Sequence, residues 1–176
     1  MNILVNFLKS KKINLYVNIK YSYEQIRDLY RLVILLDDDF FKGINNIYIC
    51  NDDTFNDFFI EEFNKYPEED VDGFAIVENN VDIILKGINI EVFLHELAHQ
   101  KYINLNENNL RLFNNLVSYI LNNKIKLLDI DFIKDKYGKI LLDEFFAFLL
   151  EKYFFHSNDF IKIYPKIYYL TRRIIS

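Results

Sequence analysis

Apolar residues along this chain change their spacing at Gly87, and that change constrains the fold more than any other feature of the sequence. Before it, Ile13, Leu15, Val17 and Ile19 alternate, which predicts a strand over Ile13–Ile19. Ser22-Tyr23-Glu24-Gln25 has the spacing of a helix-capping box, and Ile26, Leu29, Leu32, Val33 and Leu36 follow at helical intervals. Asp37-Asp38-Asp39 is expected to end that helix as a solvated charge run, because no calcium-loop pattern surrounds it. Ile47–Cys50 reads as a short strand. Asp53 or Thr54 is expected to cap a helix through Phe58-Phe59 to Asn64, with Pro67 closing the region. Phe74–Val77 and Val81–Leu85 flank Glu78-Asn79-Asn80 as a hairpin. From Gly87 onward the pattern predicts helices alone, at about 89–102, 109–123, 141–156 and 159–174. The expectation is one α+β domain over residues 1–176, a small N-terminal sheet with helices followed by a helical C-terminal half.

Composition narrows the function classes. Half of the 176 residues are apolar, with 17 Phe, 13 Tyr and only 4 Gly and 2 Pro, so the chain can bury a core. A net charge of −5, with basic clusters no longer than Lys9–Lys12 and Arg172-Arg173, argues against nucleic acid as a partner. Cys50 is the sole cysteine, so no intramolecular disulfide forms, and it is read as a buried apolar thiol in a strand. No run of about 18 apolar residues is present, so no membrane span is expected. Met1–Lys12 lacks an early basic region and a small-residue cleavage site, so it does not read as a signal peptide. The expected location is cytoplasmic, although a non-classical export route would leave no mark in the sequence.

His95-Glu96-Leu97-Ala98-His99 carries the chemistry. On a helix, residues four apart leave the same face one turn apart, so the two imidazoles can meet one ion. Zinc accepts neutral imidazole nitrogen at about 2.0–2.1 Å, and Glu96, beside the first histidine, can serve as general base towards an attacking water. Ile90, Phe93, Leu94, Leu97 and Ala98 make the surrounding helix apolar, and two His with a Glu are a rare choice for packing alone. A catalytic zinc site usually takes a third protein ligand. A metzincin continuation would need Gly and His at positions 102 and 105, where this chain has Tyr102 and Leu105. His156 lies far downstream among aromatics and has no supporting pattern. Glu144 and Glu151 share the expected helix 141–156. Glu144 sits among Phe145, Phe146, Phe148 and Leu149, where a carboxylate is costly unless paired or bound to metal. Glu151, followed by Lys152, is expected near solvent, and Asp143 to decorate the first helical turn.

The segment Tyr137-Gly138 through Glu144-Phe145-Phe146-Ala147 resembles the family of the anthrax lethal factor catalytic domain and the clostridial Pro-Pro endopeptidases. Ile88–Leu94 is similar to the stretch leading into that family's active-site helix, and Tyr164–Tyr168 to its C-terminal helix. The resemblance spans roughly residues 74–174 and is specific at the two motifs. It implies a zincin-like fold of gluzincin type. It also implies one zinc per chain held by His95, His99 and Glu144, Glu96 as the base, and Tyr137 as hydrogen-bond donor to the oxyanion. The implied activity is endopeptidase cleavage of a protein or peptide substrate. One position departs from the pattern: the family carries a second acid four residues after its metal-binding glutamate, and here that residue is Phe148. Such a partner is worth about 10–100-fold in metal affinity or activity. Either Asp143 or Glu91 replaces it or the site is weaker, which leaves an inactive peptidase-like binding module as the alternative.

Overall fold

The computed structural model describes residues 1–69, 71–77, 80–123, 125 and 140–176. Two compact units divide the chain, Met1–Gln100 and Lys101–Ser176. The first unit opens with α1 (Asn2–Ser10), an amphipathic helix that buries Leu4 and Leu8 one turn apart. The sequence pattern does not assign this helix, because nine residues with one break at Asn6 carry little periodic signal. Next come β1 (Asn14–Val17), α2 (Tyr23–Val33), β2 (Ile44–Cys50), α3 (Asp52–Phe63), β3 (Gly73–Val77) and β4 (Val81–Lys86). Helix α4 (Ile90–Ile103) follows, and the division between the units falls within it. The architecture is mixed α+β, as the pattern predicts.

Local chemistry explains most boundaries. Ser22 Oγ accepts from Gln25 N at 3.2 Å and Gln25 Oε1 accepts from Ser22 N at 2.9 Å, so the expected capping box starts α2. That helix ends at Val33, earlier than the acidic run suggests. Asp37 instead caps a separate 3-10 turn, Asp38–Phe40, that buries Phe40. The three aspartates are exposed, and Asp38 pairs with Lys11. The cap of α3 is Asn51 rather than Asp53 or Thr54, its Oδ1 accepting from Thr54 N at 2.9 Å. At the other end Asn64 takes the left-handed conformation, φ 52°, that closes a helix.

The sheet order is β1-β2-β4-β3, with β1, β2 and β4 parallel and β3 antiparallel to β4. The expected hairpin is present, Val77 opposite Val81, while its tip at 78–79 lies outside the described residues. Register is held by a polar ladder across three strands. Asn14 Nδ2 donates to Asn46 Oδ1 at 3.0 Å, and Asn46 Nδ2 donates to Asp82 Oδ1 at 2.8 Å. On the same face Phe55 and Phe59 of α3 pack with Cys50, Phe74 and Ile84, with Phe74 edge-on to Phe55 at 5.3 Å and to Phe59 at 5.2 Å. Burying one such ring contributes about 1.5–3 kcal/mol. Ile47, Ile49, Ile83 and Leu85 point to the opposite face and are also buried, so both faces of the sheet are covered around Ile47–Cys50 and Ile83–Leu85.

The second unit holds α5 (Glu107–Asn122), α6 (Leu142–Phe155), α7 (Ser157–Ile163) and α8 (Pro165–Ile175). Helix α5 packs on α8, and α6 packs on α7 and α8. Phe113 and Phe146 meet edge-on at 5.3 Å in its core. The single helix expected at 159–174 is two, because Pro165 cannot donate to the preceding turn and drives Tyr164 out of helical geometry, φ −131° and ψ 59°. Pro165 then serves as the first residue of α8. Beyond β4 the described residues are helical apart from short connections and one bridge residue, Ile140.

Candidate metal centre

Gly87, at φ +77°, turns the chain out of β4, and Asn89 Oδ1 accepts from Glu91 N at 3.0 Å and Val92 N at 3.3 Å to start α4. Along this helix Phe93, Leu94, Leu97 and Ala98 are buried, which fixes its rotation and leaves His95 and His99 half-buried on one face. Their ring centroids are 4.8 Å apart with planes at 77°, the one-turn neighbourhood that four-residue spacing dictates. Glu96 is 8% exposed, and its Cγ lies 3.4 Å from where a Cβ on Gly73 would stand. That glycine opens β3, and its missing side chain admits α4 close to the sheet: the same Cβ would sit 2.6 Å from Val92 Cγ1.

Glu144 lies in the first turn of α6, half-buried, between exposed Asp143 and buried Phe145 and Phe146. One nitrogen of His95, one of His99 and one carboxylate oxygen of Glu144 all lie within 4.8 Å of one another. Among the described residues this is the group of three His, Cys, Asp or Glu side chains that could hold a metal ion. Two imidazoles and a carboxylate are a donor set zinc accepts.

The remaining sequence-predicted residues fall elsewhere. Tyr137 lies outside the described residues. His156 is exposed where α6 ends, and Glu151, expected near solvent, is half-buried on α6. Glu91 is exposed in the first turn of α4. Phe148, one turn after Glu144, stacks on Phe145 at 6.4 Å and lies under Lys152 Nζ, 5.1 Å from its ring centroid. Cys50 is buried in β2, and burial pushes its thiol above the usual range. The neighbour that sequence reasoning missed is Gly73, and no local signal marks a glycine whose role is set by a distant helix. Compared with protein-family models and with curated proteins, the chain finds no match in either.

Proposed function

We propose that this chain is a zinc-dependent endopeptidase of the gluzincin kind, with a zincin-like fold. One observation carries the reading: His95, His99 and Glu144 offer ligand atoms within 4.8 Å of one another, on a helix where buried Glu96 follows the first histidine. Zinc bound by these three side chains would supply a Lewis acid that polarises the scissile carbonyl and makes water acidic enough to attack near pH 7. The carboxylate of Glu96 takes a proton from the attacking water and delivers it to the leaving amine nitrogen as the C–N bond breaks. Tyr137 is assigned, from the family resemblance, the hydrogen bond to the oxygen on which negative charge develops. The apolar residues flanking Glu96 limit its hydration and hold the side chain in place.

A second reading, a metal-holding module that binds a peptide without cutting it, is favoured by Phe148. A stacked ring occupies the turn after Glu144 where the resembled family has an acid. Incubating the full chain with zinc and a diverse peptide library separates the two. Cuts detected by mass spectrometry and abolished in Glu96→Gln are the expected result. A library left intact by the wild-type protein would sink the peptidase reading in favour of the binding module.

A further inference from the structure

Glu144, Phe148, Lys152 and His156 recur at intervals of four, so each neighbours the next, turn by turn, along α6 and its C-cap residue His156. A cleft of about 180 Å³ opens along the latter part of this row. Phe148 and Phe160 line it with their rings, and Ile163 and Tyr164 at the end of α7 complete the apolar wall. Lys152 and His156 line it from α6, and Asp159 from α7. Phe160 is buried and meets Tyr164 at 6.4 Å, so that wall is set by packing, whereas Ile163 is 58% exposed at the mouth.

We propose that this cleft is a side-chain pocket for one aromatic residue of the peptide substrate, an inference that rests on the peptidase reading of Glu144. Size selects one ring: an apolar cavity of about 150 Å³ is enough to hold benzene. The ring walls favour an aromatic occupant, since Phe148 and Phe160 line the cleft and aromatic pairs gain from offset or edge-on contact. Charge argues against a basic occupant, because Lys152 and Asp159 line the same cleft and leave no excess of negative charge to draw Lys or Arg. Position sets the register. Along α6 the lining runs from Phe148 to His156, about 6–18 Å from Glu144 at about 1.5 Å per residue, and extended peptides advance about 3.3 Å per residue. The pocket therefore serves a residue about two to five positions from the cut bond.

The test has two readouts on the full chain. Sequencing the cuts made in a diverse peptide library should show aromatic residues enriched on the order of tenfold or more at one position about two to five residues from the cut. Ile163→Trp, at an exposed position that tolerates bulk, should fill the mouth and shift that preference to small side chains. Independently of turnover, N-acetyl-phenylalaninamide titrated into labelled protein should move the amide resonances of residues around Phe148 and Phe160 in wild type and not in Ile163→Trp. Cuts without aromatic enrichment, or a titration that leaves those resonances still, would overturn the pocket. No cuts at all would instead sink the peptidase reading and the substrate role with it, while the titration would still decide whether the cleft holds an aromatic ring.

Discussion

Gly73 begins β3 without a side chain, and the space its Cβ would fill is crowded by Val92 Cγ1 at 2.6 Å and Leu85 Cδ2 at 3.2 Å, with the stem of Glu96 in ordinary contact. Its backbone angles suit any residue, so crowding alone makes glycine necessary here. Gly73→Ala is expected to destabilise the protein by about 1–3 kcal/mol, the usual cost of overpacking. Adding Val92→Ala, which removes the atom at 2.6 Å, should restore much of that loss. Urea midpoints of the two variants measure both effects, and an unchanged midpoint in Gly73→Ala would show that β3 simply moves aside. At Glu144 the expected outcome concerns metal. Elemental analysis of protein purified without added metal should find one zinc per chain, and Glu144→Ala should bind it more weakly. Equal affinity in that variant would remove Glu144 from the ligand set. Cys50 illustrates the opposite kind of residue, a buried thiol whose raised pKa keeps it protonated and slow towards thiol reagents until the chain unfolds.

Helix α3 covers one face of the sheet with Phe55 and Phe59, so whatever holds its first turn also protects that layer. Asn51 does so through the 2.9 Å bond from Thr54 N to its Oδ1, satisfying a donor that has no partner inside the helix. Asn51→Ala should cost about 1 kcal/mol. The loss should appear in chemical denaturation and as faster amide exchange in the first turn of α3. No change in either would mean that water replaces the cap at no cost. Asn106 caps α5 in the same way, its Oδ1 accepting from Asn109 N at 2.9 Å. Both are Asn-x-x caps followed by an acid in the first turn, a pattern readable from residue types. The expected cap, Asp53 or Thr54, lies two or three positions beyond Asn51 because Asp and Thr are also good cap residues. The backbone conformation at Asn51, φ −74° and ψ 171°, is what selects it.

Across the whole molecule several buried or half-buried groups titrate late. Burial raises the hydroxyl of Tyr48, aided by Asp82 and Tyr16, and burial together with Asp143 raises Tyr102. Tyr153 is raised by burial and by Tyr168, which stacks on it at 5.0 Å. Cys50 is raised by burial alone. Each keeps its proton in the folded chain at a pH where the unfolded chain, with ordinary values near 8.5 for Cys and 10 for Tyr, has begun to lose it. The unfolded state then binds fewer protons, so stability falls as pH rises. These groups contribute fully below about pH 8.5, and their contribution should be lost progressively above it. Thermal midpoints should be level from pH 7 to 8 and decline towards pH 11. A midpoint that held or rose over that range would contradict the burial of these side chains.

None of the described helices is long and apolar enough to cross a membrane, in line with the lack of a long apolar run in the sequence. Much else was legible because it is local. The turn-to-turn pairing of His95 and His99, the capping box of α2, the β3–β4 hairpin and the switch to helices after Gly87 depend on residues within one or two turns of each other. Their energetics are therefore set by spacing and residue type. Tertiary structure alone decided what depends on residues far apart. It inserted β4 between β2 and β3, although β3 comes first in the chain. It set Gly73 against Glu96, and it brought an oxygen of Glu144 within 4.8 Å of a ligand nitrogen of each histidine. Those neighbours are chosen by which apolar faces cover one another over the entire chain, and no window of sequence contains that competition.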